Sequence, residues 1–400
     1  MDDAQAHNES KPRGANPVNA SATAIRIAGV DPELGFGGGE AQVMGLTAEL
    51  VRMGHRAELI CDPAGKLWER ARRAGFVCHP LRIHNSIDLS AGIRLRNILK
   101  HQRYDVVHFH TARAHAMAPY GRGYAHALVV TRRMDYRPNR LFAPYLFNQA
   151  VDGVAAISRG VADALAASGV PRERITIIPS GVDCDHFRPP SAAERADARA
   201  AFGIPDDTLA IGTVGVLESR KGHRYLLQAL AGLASENRAA SAGAKTVCLI
   251  AGDGSLHAEL EREAAELGLS ESVRLLGRIE DSRSLLWALD IFAFPSLHEG
   301  LGVAMLEAAA CGLACVASDT GGLRDLVVPG QTGLLAAAGN PAELAAAIRV
   351  LAGDLREREA MGAQARARVA SKFDMAKMAE RTLELYRACL EKRGAKGLIQ

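Results

Sequence analysis

Between Ile291 and Ala310 a strand, a glycine loop and a helix run together, and that junction limits the folds open to this chain. Ile291, Phe292, Ala293 and Phe294 are apolar without alternation, as in a strand covered on both faces of a parallel sheet. Pro295 closes the run, and the loop after it carries Gly300 and Gly302. Val303 to Ala310 has high helix propensity and stops before Gly312. Such a unit is how an α/β sheet offers a helix N-terminus to an anion. Two carboxylates bracket it, Glu299 in the loop and Glu307 inside the helix.

Eight residues of helix span roughly 12 Å at about 1.5 Å per residue. Two carboxyls that flank one glycosidic bond sit only about 5 to 9.5 Å apart. Glu299 and Glu307 therefore suit the two ends of a longer ligand, with phosphate between them. A nucleotide sugar has that shape: a sugar, a diphosphate, and a ribose whose two hydroxyls suit a carboxylate.

The unit recurs. Ala24 to Val30 reads as a strand, Gly35 to Gly39 as a loop with three consecutive glycines, and Ala41 to Met53 as a helix with Val43, Leu46, Leu50 and Met53 at 3–4 spacing. Further strands are predicted at 57–61, 105–109, 127–131, 153–157 and 174–178, with helices at 66–74, 90–100 and 159–168. A second series starts at Leu209 to Val214 and continues through 246–252, 273–277, 291–294 and 313–317. Alternating strands and helices predict two doubly wound parallel sheets. The division read from the chain is a disordered tail at 1–23, an N-terminal domain at 24–187, a linker at 188–205, a C-terminal domain at 206–372 and a final helix at 373–392.

Composition removes some functions. Of 400 residues, 48% are hydrophobic and 23% charged, which is ordinary for a globular protein. A net charge of +3 gives no support to nucleic-acid binding. No apolar run approaches the roughly 18 residues of a spanning helix, and residues 1–23 lack the apolar stretch of a signal peptide. The seven scattered cysteines fit buried thiols in a reducing cytoplasm. Cys311 and Cys315 lack a second pair to complete a zinc set.

At this point the motifs carry a resemblance. Glu299-x7-Glu307, within Phe294-Pro295-Ser296-x2-Glu299-Gly300-x-Gly302, resembles the retaining GT-B glycosyltransferases, in particular the large family 4. Gly37-Gly38-Gly39-Glu40-x-Gln42, the His108-x-His110 strand, Arg220-Lys221-Gly222, Ala156-Ile157-Ser158-Arg159 and the run Ile178 to Asp183 resemble further landmarks over roughly residues 24–390. Three positions depart from the pattern: Ser180 where Asn is usual, Val216 where an Arg follows the glycine, and Asp325 where Glu is usual. The resemblance implies two Rossmann-like domains facing across a cleft, with the last helix crossing back to the first domain. It also implies that no metal or other cofactor is needed, because Arg220 and Lys221 would take the metal's place on the diphosphate of a UDP- or GDP-linked sugar.

Residue types and resemblance together give the candidate site. His110 lies at a strand's C-terminal end, where ligands of such sheets bind, and the family places such a histidine beside the donor sugar; His108 is read as structural. Arg220 and Lys221 suit a diphosphate whose charge grows as its bond breaks. Glu299 would orient the donor sugar and Glu307 would accept from the ribose. The backbone of Gly300, Leu301 and Gly302 would hold sugar and phosphate, and by resemblance Gly38 and Gly39 lie against the phosphate while Arg278 and Ile279 lie near the base. Arg113, Arg132 and Arg133 favour an anionic acceptor, such as a phosphorylated glycan or a lipopolysaccharide core, or else form a solvated basic rim.

Residues 137–151 mix arginines with aromatics, as a core helix or a surface resting on an anionic membrane would; the core is the expectation, and residues 90–103 raise the same choice. Asp183-Cys184-Asp185 looks like a metal-holding Asp-x-Asp but sits on the interdomain stretch without further ligands, so no metal is assigned. The expected activity is transfer of a hexose-type sugar to an acceptor hydroxyl in envelope glycan or lipopolysaccharide synthesis. The expected location is the cytoplasm, the inner face of the cytoplasmic membrane included. A nucleotide-sugar epimerase of the same fold and a non-catalytic nucleotide-sugar binder are the rivals. A nicotinamide dehydrogenase is more distant, because the first strand-loop-helix lacks Gly-x-Gly-x-x-Gly followed by an acid.

Overall fold

The computed structural model describes residues 24–240 and 245–397. The tail at 1–23 lies outside the described residues. Two parallel sheets form, one per domain. The first holds β1 (Arg26–Asp31), β2 (Arg56–Cys61), β3 (Cys78–Pro80), β4 (Val106–Phe109), β5 (Ala127–Arg132), β6 (Gly153–Ala156) and β7 (Ile175–Ile177), in the order β3-β2-β1-β4-β5-β6-β7. The second holds β8 (Leu209–Val214), β9 (Thr246–Ala251), β10 (Val273–Gly277), β11 (Ile291–Phe294), β12 (Ala314–Ser318) and β13 (Leu334–Ala336), in the order β10-β9-β8-β11-β12-β13. Strand order reverses between β1 and β4 in one sheet and between β8 and β11 in the other, which opens a crevice at each switch point. The central strands are buried on both faces: β4 and β11 have every residue enclosed. β3 and β13 escaped the sequence reading because three residues show no periodicity; their pairing with β2 and β12 defines them.

The first helix is Gly38–Arg52, starting three residues earlier than its apolar spacing indicated. Gly37 caps it, and the Glu40 carboxylate accepts the Gly37 amide at 2.7 Å. Gly38 and Gly39 thus sit in a helical first turn rather than in a free loop. Within 188–205 a capped helix forms at Ala192–Ala201. Arg195 and Arg199 from it reach Asp290 at 2.7 and 3.2 Å, which docks that stretch on the C-terminal domain.

The last helix, Met375–Gly397, returns to the N-terminal domain. Met378, Ala379, Leu383 and Tyr386 pack with Leu46, Leu50, Val106 and Val129, and Arg393 bonds Asp152 at 2.9 Å. Gly45 packs against the Met375 side chain, which a Cβ there would have to displace.

Residues 137–151 correct the expectation of a core helix. Pro138 and Pro144 interrupt the segment, leaving only a six-residue π-type turn at Pro144–Gln149. Ala143, Phe147, Ala150 and Val151 are buried, whereas Leu141 and Phe142 are 83% and 63% exposed and Tyr145 is also exposed. Residues 90–103 form most of the helix Leu89–Gln102, with Ala91, Leu95 and Leu99 buried and Leu89 and Ile93 exposed. Among the described residues no helix is long and apolar enough to cross a membrane.

Candidate active site

The two switch points face each other. On the C-terminal side, the loop after β8 carries Arg220 and Lys221, and the loop after β11 carries Glu299 to Gly302. Their backbones are joined: Arg220 O accepts the Leu297 amide at 2.8 Å. Gly222 has φ +67°, and a Cβ there would lie 2.1 Å from Pro295 O, so only glycine lets the loops close on each other. The result is an ion pair between Lys221 Nζ and Glu299 Oε2, with side chains only 12% and 14% exposed. Lys221 Nζ also lies 4.9 Å from the Phe294 ring centroid. Arg220 turns aside to Glu218, Nε to Oε2 3.0 Å, so Lys221 is the cation set deepest at this mouth.

The helix Val303–Ala310 begins at Gly302, with φ +94° and no side-chain cap. Its first amides and the positive end of its dipole are thus left for a ligand. Val303 lies 3.2 Å from where a Cβ on Gly38 would stand, so the glycine-rich start of one domain meets the anchor helix of the other. Glu307 occupies different surroundings from Glu299. Its Oε2 accepts from Ser282 Oγ at 3.2 Å, and burial pushes its carboxyl up to about 7, with His186 and Asp281 nearby. The two acids therefore have different partners, Lys221 for Glu299 and Ser282 for Glu307. Arg278 Nη2 donates to Phe36 O across the cleft at 3.2 Å, and Ile279 packs on the main apolar core.

On the N-terminal side His110 follows β4 and is 4% exposed. Its Nδ1 is enclosed without a hydrogen-bond partner, and Gly29 leaves room beside Nε2, where a Cβ would come within 3.4 Å. Burial, His108 and Arg133 hold the imidazole well below its ordinary pKa, so it is neutral at pH 7. A neutral imidazole both donates and accepts, which suits a sugar hydroxyl.

The three acceptor arginines separate. Arg113 is tied to Glu33 and reaches Ile83 O. Arg132 donates to Tyr136 O at 3.0 Å and stacks 4.7 Å from that ring. Arg133 faces Asp31 and Glu40; burial pulls its pKa down to about 10, and its Nε has no partner. Asp31 was missed in the sequence: the first strand runs one residue past Val30 and ends on this acid. Burial and the charge of Glu40 raise it to about 7. An acid closing an apolar strand just before a glycine loop was the available signal. Asp183 caps its own turn, accepting the amides of Asp185 and His186 at 3.0 Å each. All seven cysteines are free thiols.

Two parallel-sheet domains with opposed switch points, a cation–carboxylate pair and an uncapped helix start define the class: a GT-B transferase fold. Profiles of two families match the chain, "Glycosyl transferases group 1" over residues 194–368 and "Glycosyltransferase Family 4" over residues 36–186. The chain belongs to this family 4, group 1 of glycosyltransferases. A putative glycosyltransferase EpsF of Bacillus subtilis (strain 168) is 38% identical over 153 residues, 38% of either chain. Alpha-maltose-1-phosphate synthase of Mycolicibacterium smegmatis is 28% identical over 387 residues, covering 89% of this chain and 96% of that one. The chain spans 38% and 51% of the length of the first two curated relatives it matches. Among solved structures, Anabaena Alr3699/HepE in complex with UDP and glucose shares the fold, with a TM-score of 0.79 at 21% identity over 91% of this chain and all of that one.

Proposed function

We propose that this chain is a retaining glycosyltransferase that moves a hexose-type sugar from a UDP- or GDP-linked donor to an acceptor hydroxyl, without a metal. The observation that carries this reading is the enclosed Lys221–Glu299 pair, which joins both switch-point loops opposite His110. Lys221 would leave Glu299 for the donor diphosphate and stabilise charge growing on the leaving oxygen. The open amides at Gly302 and Val303 would take a phosphate oxygen. Glu299, released, would orient the sugar and favour positive charge at its anomeric carbon. Glu307 would take the ribose hydroxyls. His110 would hold a sugar hydroxyl from the other domain.

In the proposed step, the bond from the anomeric carbon to the phosphate oxygen breaks and the acceptor oxygen bonds to that carbon from the same face. The acceptor's proton passes to the departing phosphate oxygen, so configuration is retained. Arg133, with its unpartnered Nε beside the cleft, supports an anionic acceptor. Exposed Leu141 and Phe142 beside Arg137 and Arg140 support an acceptor presented at an anionic lipid surface on the cytoplasmic side.

A thermal-shift panel of UDP-, GDP- and ADP-sugars names the donor, because a bound ligand stabilises in proportion to the logarithm of its concentration over affinity. Proton NMR of the product made in EDTA then reports the anomeric configuration. Inversion, or free nucleotide appearing only when a divalent metal is added back, overturns the proposal. Epimerised donor with no acceptor requirement converts it to the epimerase reading.

A further inference from the structure

Tyr386 lies deep under the N-terminal sheet, 0% exposed, in a cluster of aliphatic side chains. Packing there needs only a ring. Its hydroxyl nevertheless meets His108 Nδ1 at 2.6 Å, and His108 Nε2 meets Thr131 Oγ1 at 2.7 Å. Burial pushes the His108 pKa down to about 3, so its ring is neutral and carries one N–H. One hydroxyl donates to the ring and the other accepts from it, and both ring nitrogens are satisfied. A ring bonded at both nitrogens cannot turn without leaving a buried polar atom unpaired.

His108 stands against His110, ring centroids 4.0 Å apart and planes inclined 38°. His110 Nδ1 makes no hydrogen bond that would fix its own ring. Its orientation is therefore set by the surface it leans on. We infer that Tyr386 is a positioning residue: the C-terminal helix orients His110 through the His108 ring, with Thr131 holding the opposite end. This rests on the reading of His110 as a group beside the donor sugar. The helix that carries Tyr386 starts at the crossing between domains, where the Val182 amide donates to Phe373 O at 2.8 Å and Val182 O accepts the Met375 amide at 3.0 Å, so the orienting hydroxyl comes from a segment tied to both domains.

The test uses the full chain with its identified donor. Tyr386→Phe keeps the ring and removes the hydroxyl; Thr131→Val removes the other partner at a half-buried strand end. Each should lower kcat about tenfold with donor KM within about twofold, since misplacement near 1 Å costs up to about 10²-fold. Nitrogen-15 imidazole spectra of histidine-labelled protein should show the His108 and His110 signals moving together in both variants. A purely structural tyrosine would shift the melting temperature and leave kcat and the His110 signal in place. His110→Ala is the separate control. If it keeps parental kcat, the reading of His110 fails. If it is inactive while Thr131→Val and Tyr386→Phe keep parental kcat and an unmoved His110 signal, the relay alone fails. Should Tyr386→Phe not fold, Thr131→Val decides by the same two readouts.

Discussion

Gly300→Ala should cripple the enzyme without unfolding it. A Cβ at Gly300 would stand 2.0 Å from Arg133 O and 3.0 Å from Ile157 Cδ1, both in the other domain. Ordinary contact begins near 3.4 Å, so the clash with the carbonyl is short by about 1.4 Å. Arg133 directly follows β5, which holds that carbonyl in place. The loop is also held from behind, where Gly322 packs closely on Gly300 O and its amide donates to Glu299 O at 3.1 Å. The clash is relieved by opening the cleft. A separation near 1 Å between Glu299 and His110 costs up to about 10²-fold in rate. Initial rates over donor concentration should show kcat/KM down by about 10- to 100-fold. The melting temperature should stay within about 3 °C, the change that about 1 kcal/mol makes in a single domain of about 150–250 residues. A variant with kcat/KM within twofold of the parent would refute the argument that this contact sets the working separation of the domains.

Lys221→Ala should lower kcat by about 10²-fold, the usual loss when one donor to a developing oxyanion is removed, and Glu307→Ala should raise the nucleotide Kd in calorimetry with kcat less affected. The Glu307 carboxyl sits at about 7, above its ordinary 4.5, so the folded chain binds that proton more tightly than the unfolded one and the ligand-free fold loses stability as pH rises from about 4.5 to 7. Donor affinity should move the other way, strengthening from pH 6 to 8 as the ionised acid accepts ribose hydroxyls, and Glu307→Gln should flatten that profile in titrations with a UDP- or GDP-sugar. Gly232→Ala, in the exposed face of the helix His223–Ala240 with nothing within 4 Å of the new methyl, should raise stability by about 0.5–1 kcal/mol in a urea melt and leave rates unchanged.

The chain by itself determined the two parallel sheets. Buried strands such as Ile291–Phe294 are continuous apolar runs, and the glycines after them mark turns, so fold class is written in short windows. Glu299, Glu307, Lys221 and His110 were singled out from short motifs that follow strands, together with the family resemblance those motifs carry. What only the tertiary structure decided is which groups are paired and which are enclosed. Lys221 and Glu299 meet across 78 residues, and Tyr386 reaches His108 across 278. Arg113, read as a free arginine for the acceptor, is held by Glu33, 80 residues away. Asp31 owes its raised pKa to burial and then to Glu40, and in residues 137–151, where prolines interrupt the segment, Phe142 and Tyr145 are exposed while Phe147 is buried. Pairing and burial depend on distances between remote segments, and those distances exist only once the two domains and the returning helix have packed.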